Sequence, residues 1–412
     1  MKKRQKMTTT FIAVQLVVAA FLAASWAGTA RRANRSTKSG LFAKSRFQDV
    51  PVSPTAPFRA TSLYNDPRVV TDADLLMVLK KIQPRFSRKQ LKPNFLEHAL
   101  RTWSVNATFT DPAVMSGKEM VDVLVDHAKY VQSWSQEIDP LLLEQEHGVS
   151  VRWGHAAGAS VHHDHLLASL TEAGLDLNTE IFLPSGNTRT FNDLLQQSFR
   201  DFRLDEREVE WSAMAFASWF GPSMNSWWTS DGRKMSFDLI AQRLMRGHSR
   251  FGVCNGTHRV YSLAFLLRLN EKHDVLSEAT ARKVRMHLRT IRDRLMVTQF
   301  PDGHWPSNWA NGIPSRKNQI QDPDYKKVIA TGHHLEWLAI APKEFQPPRE
   351  MVRKAAAWLI RNVRNHKQEH ILKRYTFYSH VGSALAAWRG TTPYEFWQSQ
   401  QVKRTNHAHR SE

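Results

Sequence analysis

From residue 72 onward, apolar side chains recur every three to four positions, which predicts helices over 72–82, 95–103, 119–131, 162–173 and 190–202. The pattern continues through residue 397 and gives about a dozen helices in all. Period-two alternation is confined to GVSVRWG (148–154) and EIFLP (180–184), so strands are minor features. The helices fall into two kinds. Segments 211–220, 260–269, 335–341 and 381–388 are apolar nearly all round, as enclosed helices are, whereas 279–296 and 350–367 carry one apolar stripe and many charges.

Inner and outer helices that alternate along a chain are what a closed ring of antiparallel helix pairs requires, because each hairpin adds one wall helix and one covering helix. No strict fixed-length repeat runs through the chain, so an open solenoid is disfavoured. The expected fold is all-α, an α/α toroid spanning 71–398. The residues before it read differently. Lys2, Lys3, Arg4 and Lys6 precede the apolar run FIAVQLVVAAFLAA (11–24), followed by small residues at 25–30. This order predicts an export signal peptide, and the 20 residues from Thr8 to Ala27 are also long enough for an uncleaved anchor across a bilayer of roughly 30 Å. Residues 1–30 are therefore a signal peptide or membrane anchor, 31–70 a Ser/Pro/Arg-rich linker, and 399–412 a flexible basic tail.

Charge agrees with this division. The formal net charge is +19, yet the first 60 residues hold eleven basic side chains and one acid, so more than half of the excess lies ahead of the ring. The remainder is spread thinly without a Lys/Arg run interleaved with aromatics, which argues against nucleic acid and leaves a membrane surface or an anionic ligand as partners. One cysteine in 412 residues excludes an intrachain disulfide. The expected location is extracytoplasmic, either membrane-anchored or secreted.

QFPDGHW (299–305) resembles the Q-x-x-D-G-x-W core of the repeat in terpenoid cyclases and protein-prenyltransferase β-subunits. TGHHLEWLA (331–339) resembles the G-H-x-x-E-W segment of sugar epimerases on the same toroid. The resemblance implies an α/α toroid in which the first motif is structural: Gly303 permits a tight turn, Gln299 bonds helix-terminal backbone and Trp305 packs across the hairpin. Asp302 is accordingly read as a turn residue. Neither D-x-D-D nor D-D-x-x-D occurs, so standard terpene cyclisation is disfavoured.

Candidate chemistry centres on histidine. Ser or Thr precedes His within three positions at Ser160/His162, Thr257/His258, Thr331/His333 and Ser379/His380, which suggests capped inner helices presenting neutral imidazoles at one mouth of the ring. GVCNGTHRVY (252–261) contains a G-x-C-x-G similar to the segment that carries a zinc-ligand cysteine in lanthionine cyclases. That similarity implies a zinc site of Cys254, His258 and His333 or His334. The same stretch holds Asn255, Arg259 and Tyr261, residue types that toroidal polysaccharide lyases use to neutralise a uronate and remove its neighbouring proton. His258, Tyr261, His334 and Glu336 are thus candidate catalytic groups. Asn255, Arg259, Trp305 and Trp309 are candidate substrate-binding groups, and the alternative for the Trp residues is packing. Glu336 also has a stabilising explanation as a helix-start acid. Residues 306–330, a 25-residue connection with several basic side chains, read as a mouth-covering loop.

Two functional classes follow. One is an enzyme, a lyase, hydrolase, isomerase or transferase, with a central pocket for a glycan, sugar or isoprenoid-like substrate and zinc as the possible cofactor. The other is a non-catalytic binding or scaffold protein for an anionic envelope polymer.

Overall fold

The computed structural model describes residues 49–53, 56–221, 224, 226–246, 253–317 and 322–408. The signal or anchor segment predicted for 1–30 lies outside the described residues. Among the described residues no helix is long and apolar enough to cross a membrane.

The chain is mostly helical, with sixteen α-helices among the described residues. In chain order they are α1 (Asp72–Lys81), α2 (Pro93–Trp103), α3 (Gly117–Val125), α4 (His127–Ser133), α5 (His165–Ala173), α6 (Phe191–Asp201), α7 (Glu210–Ser218) and α8 (Phe237–Arg246). There follow α9 (Thr257–His273), α10 (Glu278–Thr298), α11 (Pro314–Lys317), α12 (Asp324–Ile340), α13 (Arg349–Asn365), α14 (Gln368–Lys373), α15 (Tyr375–Trp388) and α16 (Pro393–Ala408). The two alternating segments form short antiparallel hairpin strands, Gly148–Val151 against Leu142–Gln145 and Glu180–Phe182 against Thr188–Thr190.

Six of these helices pack in a cycle. α2 lies against α5, α5 against α7, α7 against α9, α9 against α12, α12 against α15, and α15 returns to α2. Their sequences explain the enclosure: every residue of α7 is buried, as is every residue of α12 from Val328 to Ile340. The charged helices pack outside them, α3 on α2, α10 on α9 and α13 on α12. α10 buries a single stripe of Val284, Leu288, Ile291 and Leu295, which leaves its Arg and Lys residues to water. Local capping sets several starts. Ser116 with Glu119 and Thr190 with Asp193 form reciprocal capping boxes, and Ser277 caps α10.

The QFPDGHW hairpin is built as its residues suggest. Gln299 Nε2 donates to the carbonyls of Gly303 (2.9 Å) and Met351 (2.8 Å), and Trp305 Nε1 donates to the Leu295 carbonyl at 3.0 Å. Gly303 has φ +110°, and a Cβ there would lie 2.3 Å from the Lys354 carbonyl oxygen. Asp302 accepts from the His304 ring at 2.7 Å within the turn.

Four expectations change. Residues 49–70 are not a free linker: Val50, Val69 and Val70 are buried, and backbone N–H groups of Phe58, Leu63 and Asp66 donate to Ser218, Ala339 and Trp388. These carbonyls end α7, α12 and α15, so the segment satisfies helix-terminal acceptors as a strap across three inner helices. Residues 399–408 continue α16 as helix. The connection after Trp305 is shorter than 25 residues, because α12 begins at Asp324 and takes in Lys326 and Lys327. Finally, none of Ser160, Thr257, Thr331 and Ser379 is a cap: Asp164 precedes α5, Gly256 precedes α9, which begins at Thr257 itself, α12 starts at Asp324 and α15 at Tyr375.

Candidate functional site

The centre of the six-helix cycle is polar. His98 and Arg101 come from α2, His165 and Glu172 from α5, Trp211 from α7, His258 and Tyr261 from α9, His333 and Glu336 from α12, and His380 from α15. Spacings of three (His98/Arg101, His258/Tyr261, His333/Glu336) and seven (His165/Glu172) place each pair on one helix face, and the inward faces of neighbouring helices bring the pairs together.

Cys254, His258 and His333 each offer one donor atom, and these atoms all lie within 4.8 Å of one another. Cys254 is presented by an unusual backbone. Cys254, Asn255 and Gly256 have φ of 49°, 61° and 79°, three consecutive left-handed residues immediately before α9. Glycine adopts this conformation freely and asparagine readily, so the strain falls on Cys254. His258 Nε2 and His333 Nε2 are 2.9 Å apart, while Nδ1 of each, although buried, has no hydrogen-bond partner among the described residues. Burial holds the His258 and His333 imidazoles far below their usual pKa, reinforced for His258 by His333 and for His333 by His380. Both rings are therefore neutral and able to donate a lone pair. Burial also pushes the Cys254 thiol up to about 12, so without a cation it stays protonated.

Beside this triad runs a charged layer. Arg101 Nε contacts Glu172 Oε2, Arg101 Nη1 lies 3.6 Å from Glu336 Oε1, and the same Nη1 reaches His380 Nδ1 at 3.0 Å. Glu336 Oε2 meets His380 Nδ1 at 2.8 Å. The Tyr261 hydroxyl donates to Glu172 Oε1 at 3.4 Å, and the Arg101 guanidinium lies over the Tyr261 ring, 5.4 Å from its centre. Burial raises the Glu336 carboxyl, against the opposing pull of Arg101 and His333.

Arg101, Glu172, Tyr261 and Glu336 also line a cavity of about 290 Å³ on the side where the inner helices end. Phe58 and Phe265 add an aromatic wall, their rings 5.3 Å apart and edge to face, and strap residues 58–62 lie along the cavity. Glu336 is shared: it lines the cavity and also belongs with His333 and His380 to a second group whose donor atoms lie within 4.8 Å of one another.

The other sequence candidates are placed elsewhere. His334 points about 100° away from His333 on the same helix, into a buried aromatic pocket where its Nδ1 accepts from Trp337 Nε1 at 3.1 Å. Trp305 and Trp309 pack against it with ring centres at 5.5 and 4.6 Å, and both are buried. They are thus part of the packing around His334, and neither lines the central cavity. Arg259 turns toward Glu210, which accepts from its Nε at 2.9 Å, and borders a separate cleft with Trp309. Asn255 is half-buried in the left-handed turn. Glu336 sits in the middle of α12, so its role as a helix-start acid does not hold. Arg101, Glu172, His98 and His165 belong to no motif of the sequence. Their signal was a charged or imidazole side chain on the otherwise apolar faces of α2 and α5.

No protein-family model, curated protein or solved structure matches this chain, so the functional argument rests on its own residues.

Proposed function

We propose that this chain is an exported or membrane-tethered α/α-toroid enzyme that acts on a hydroxylated, sugar-like substrate and carries a zinc centre at Cys254, His258 and His333. The observation that carries the proposal is the convergence of these three donors within 4.8 Å in the core. Mixed sulfur and imidazole donors suit zinc, and three protein ligands leave a position open for chemistry. Neutral His258 and His333 rings whose Nε2 atoms converge to 2.9 Å beside Cys254 fit that use. The cyclic packing of six inner helices with charged helices outside supports the toroid reading. Export rests on the amino-terminal sequence.

Bound zinc would supply a Lewis acid and an acidified water. Arg101 fixes Glu172 and Glu336 at the cavity, and Glu336 can carry a proton between the cavity and the His380 side. A cavity with aromatic walls and a polar floor favours a hydroxylated ligand over an isoprenoid. Arg101 is already committed to two carboxylates, which counts against an anionic polymer as the ligand.

Elemental analysis of the purified full-length protein tests the metal assignment. About one zinc per chain is expected, falling at least tenfold in Cys254→Ala. Absence of zinc, together with no thermal stabilisation on zinc titration, would overturn it.

A further inference from the structure

The cavity contains a pair of carboxylates whose arrangement goes beyond general ligand binding. Glu172 on α5 and Glu336 on α12 come from different sides of the helix cycle and are held on one guanidinium, Arg101 Nε taking Glu172 and Nη1 facing Glu336. Both line the cavity, and both side chains are largely withdrawn from water, at 14% and 5% exposure. Their surroundings differ. Glu172 is in contact with Arg101 and accepts from the Tyr261 hydroxyl, whereas Glu336 lies deeper, against His380. Two carboxyl groups in unlike environments on the lining of a space of about 290 Å³, with the aromatic side chains Phe58, Tyr261 and Phe265 on its wall, are the side-chain pair that glycosidic-bond cleavage uses.

We infer that Glu336 and Glu172 are the acid and base of a glycoside-hydrolysing site for a neutral sugar. The inference rests on the sugar-like ligand proposed above. In the reaction the Glu336 carboxyl gives its proton to the glycosidic oxygen as the bond from that oxygen to the anomeric carbon breaks. Glu172 takes a proton from a water whose oxygen bonds to the same carbon. The products are a hemiacetal sugar and a free alcohol, and proton exchange with solvent resets both groups. Glu336, the deeper of the two and set against His380, is placed for the acid role, and Glu172, beside Arg101 and the Tyr261 hydroxyl, for the base. Arg101 is a positioning residue, because both of its faces are taken by the pair.

The full-length protein is tested in detergent against 4-nitrophenyl and 2,4-dinitrophenyl glycosides of neutral hexoses, pentoses and N-acetylhexosamines, with binding of the parent sugars followed by ligand-observed NMR. Nitrophenol release is expected from at least one sugar. Glu172→Gln and Glu336→Gln should each lower kcat by about 10²–10⁴-fold with unchanged circular dichroism. The 2,4-dinitrophenyl substrate, which needs no acid, should recover most of the loss in Glu336→Gln and little in Glu172→Gln. Sugar binding without release from any substrate would overturn the carboxylate assignment while leaving the ligand reading intact. No binding of any sugar would overturn both. Equal recovery in the two variants would overturn the division of roles.

Discussion

Glu336 Oε2 and His380 Nδ1 are 2.8 Å apart, and Arg101 Nη1 approaches the same ring nitrogen at 3.0 Å. A guanidinium only donates and His380 Nδ1 has one in-plane position, so the ring either accepts from Arg101 or donates to Glu336. Burial, the first cause in both, raises the Glu336 carboxyl and keeps His380 neutral. Arg101 is the fixed charge around which the other groups order themselves.

Removing that charge should therefore be severe. Arg101→Ala leaves Glu172 and Glu336 facing each other without a cation, and a loss of about 3–5 kcal/mol is expected from urea unfolding. Arg101→Lys should recover only part of it, because an ammonium cannot hold two carboxylates on separate nitrogens.

Acid should destabilise the protein. Burial holds His98, His165, His258, His333, His334 and His380 neutral, well below their ordinary pKa of 6.5. As pH falls below 6.5 the unfolded chain takes up protons that the folded chain refuses, so stability drops. Glu97, pushed up to about 8 by burial, acts in the opposite direction: between about 4.5 and 8 the folded state keeps a proton that the unfolded state has lost, and stability falls as pH rises. The melting temperature of chelator-treated protein should peak at roughly pH 6–7 and fall more steeply on the acid side, where more groups contribute. A curve flat from pH 4 to 8 would contradict the buried neutral histidines.

Neighbouring histidines on α12 should separate cleanly. His333→Ala is expected to lower zinc retention at least tenfold. His334→Ala should keep the metal and instead lose about 1–3 kcal/mol of stability, since its ring fills the space between Trp305, Trp309 and Trp337. Metal content and melting temperature, measured on the same samples, decide this.

The turn of the QFPDGHW hairpin should tolerate no side chain. Gly303→Ala combines a φ of +110° with a Cβ 2.3 Å from the Lys354 carbonyl oxygen, so a loss of about 2–4 kcal/mol is expected in denaturant melts. Asp302→Asn, at the exposed corner of the same turn, should cost less than about 1 kcal/mol.

The helical class and the enclosed helices were legible because apolar periodicity reports burial directly. Cys254 and His258 were legible as a group because they lie four positions apart at a helix start. The environment of His333 was misread. The residues DYKKVIATG ahead of it look like a polar loop, yet they form the first turns of α12, so burial and not a helix terminus keeps His333 neutral. Arg101 and Glu172 were passed over for another reason. Arg101 shares α2 with Glu97 and Glu172 is the one charged residue of α5, so both look like ordinary polar positions of short helices, and only the meeting of α2, α5 and α12 at the centre shows that they face inward. Local pattern specifies which face is apolar. It does not specify which polar residue the packed helices enclose.

The return of α15 to α2 also has a kinetic meaning. Arg101 and His380 touch across 279 residues of sequence, and Thr102 meets Ser383 across 281. The cycle therefore cannot close, nor can His380 reach Arg101 and Glu336, until nearly the whole chain has been synthesised. Contacts this distant impose slow folding, since loop-closure entropy must be met before they form. Up to that moment α2 and α12 each lack a neighbour, and the chain remains open and unlocked. Late closure keeps the polypeptide unlocked until its last helices have emerged.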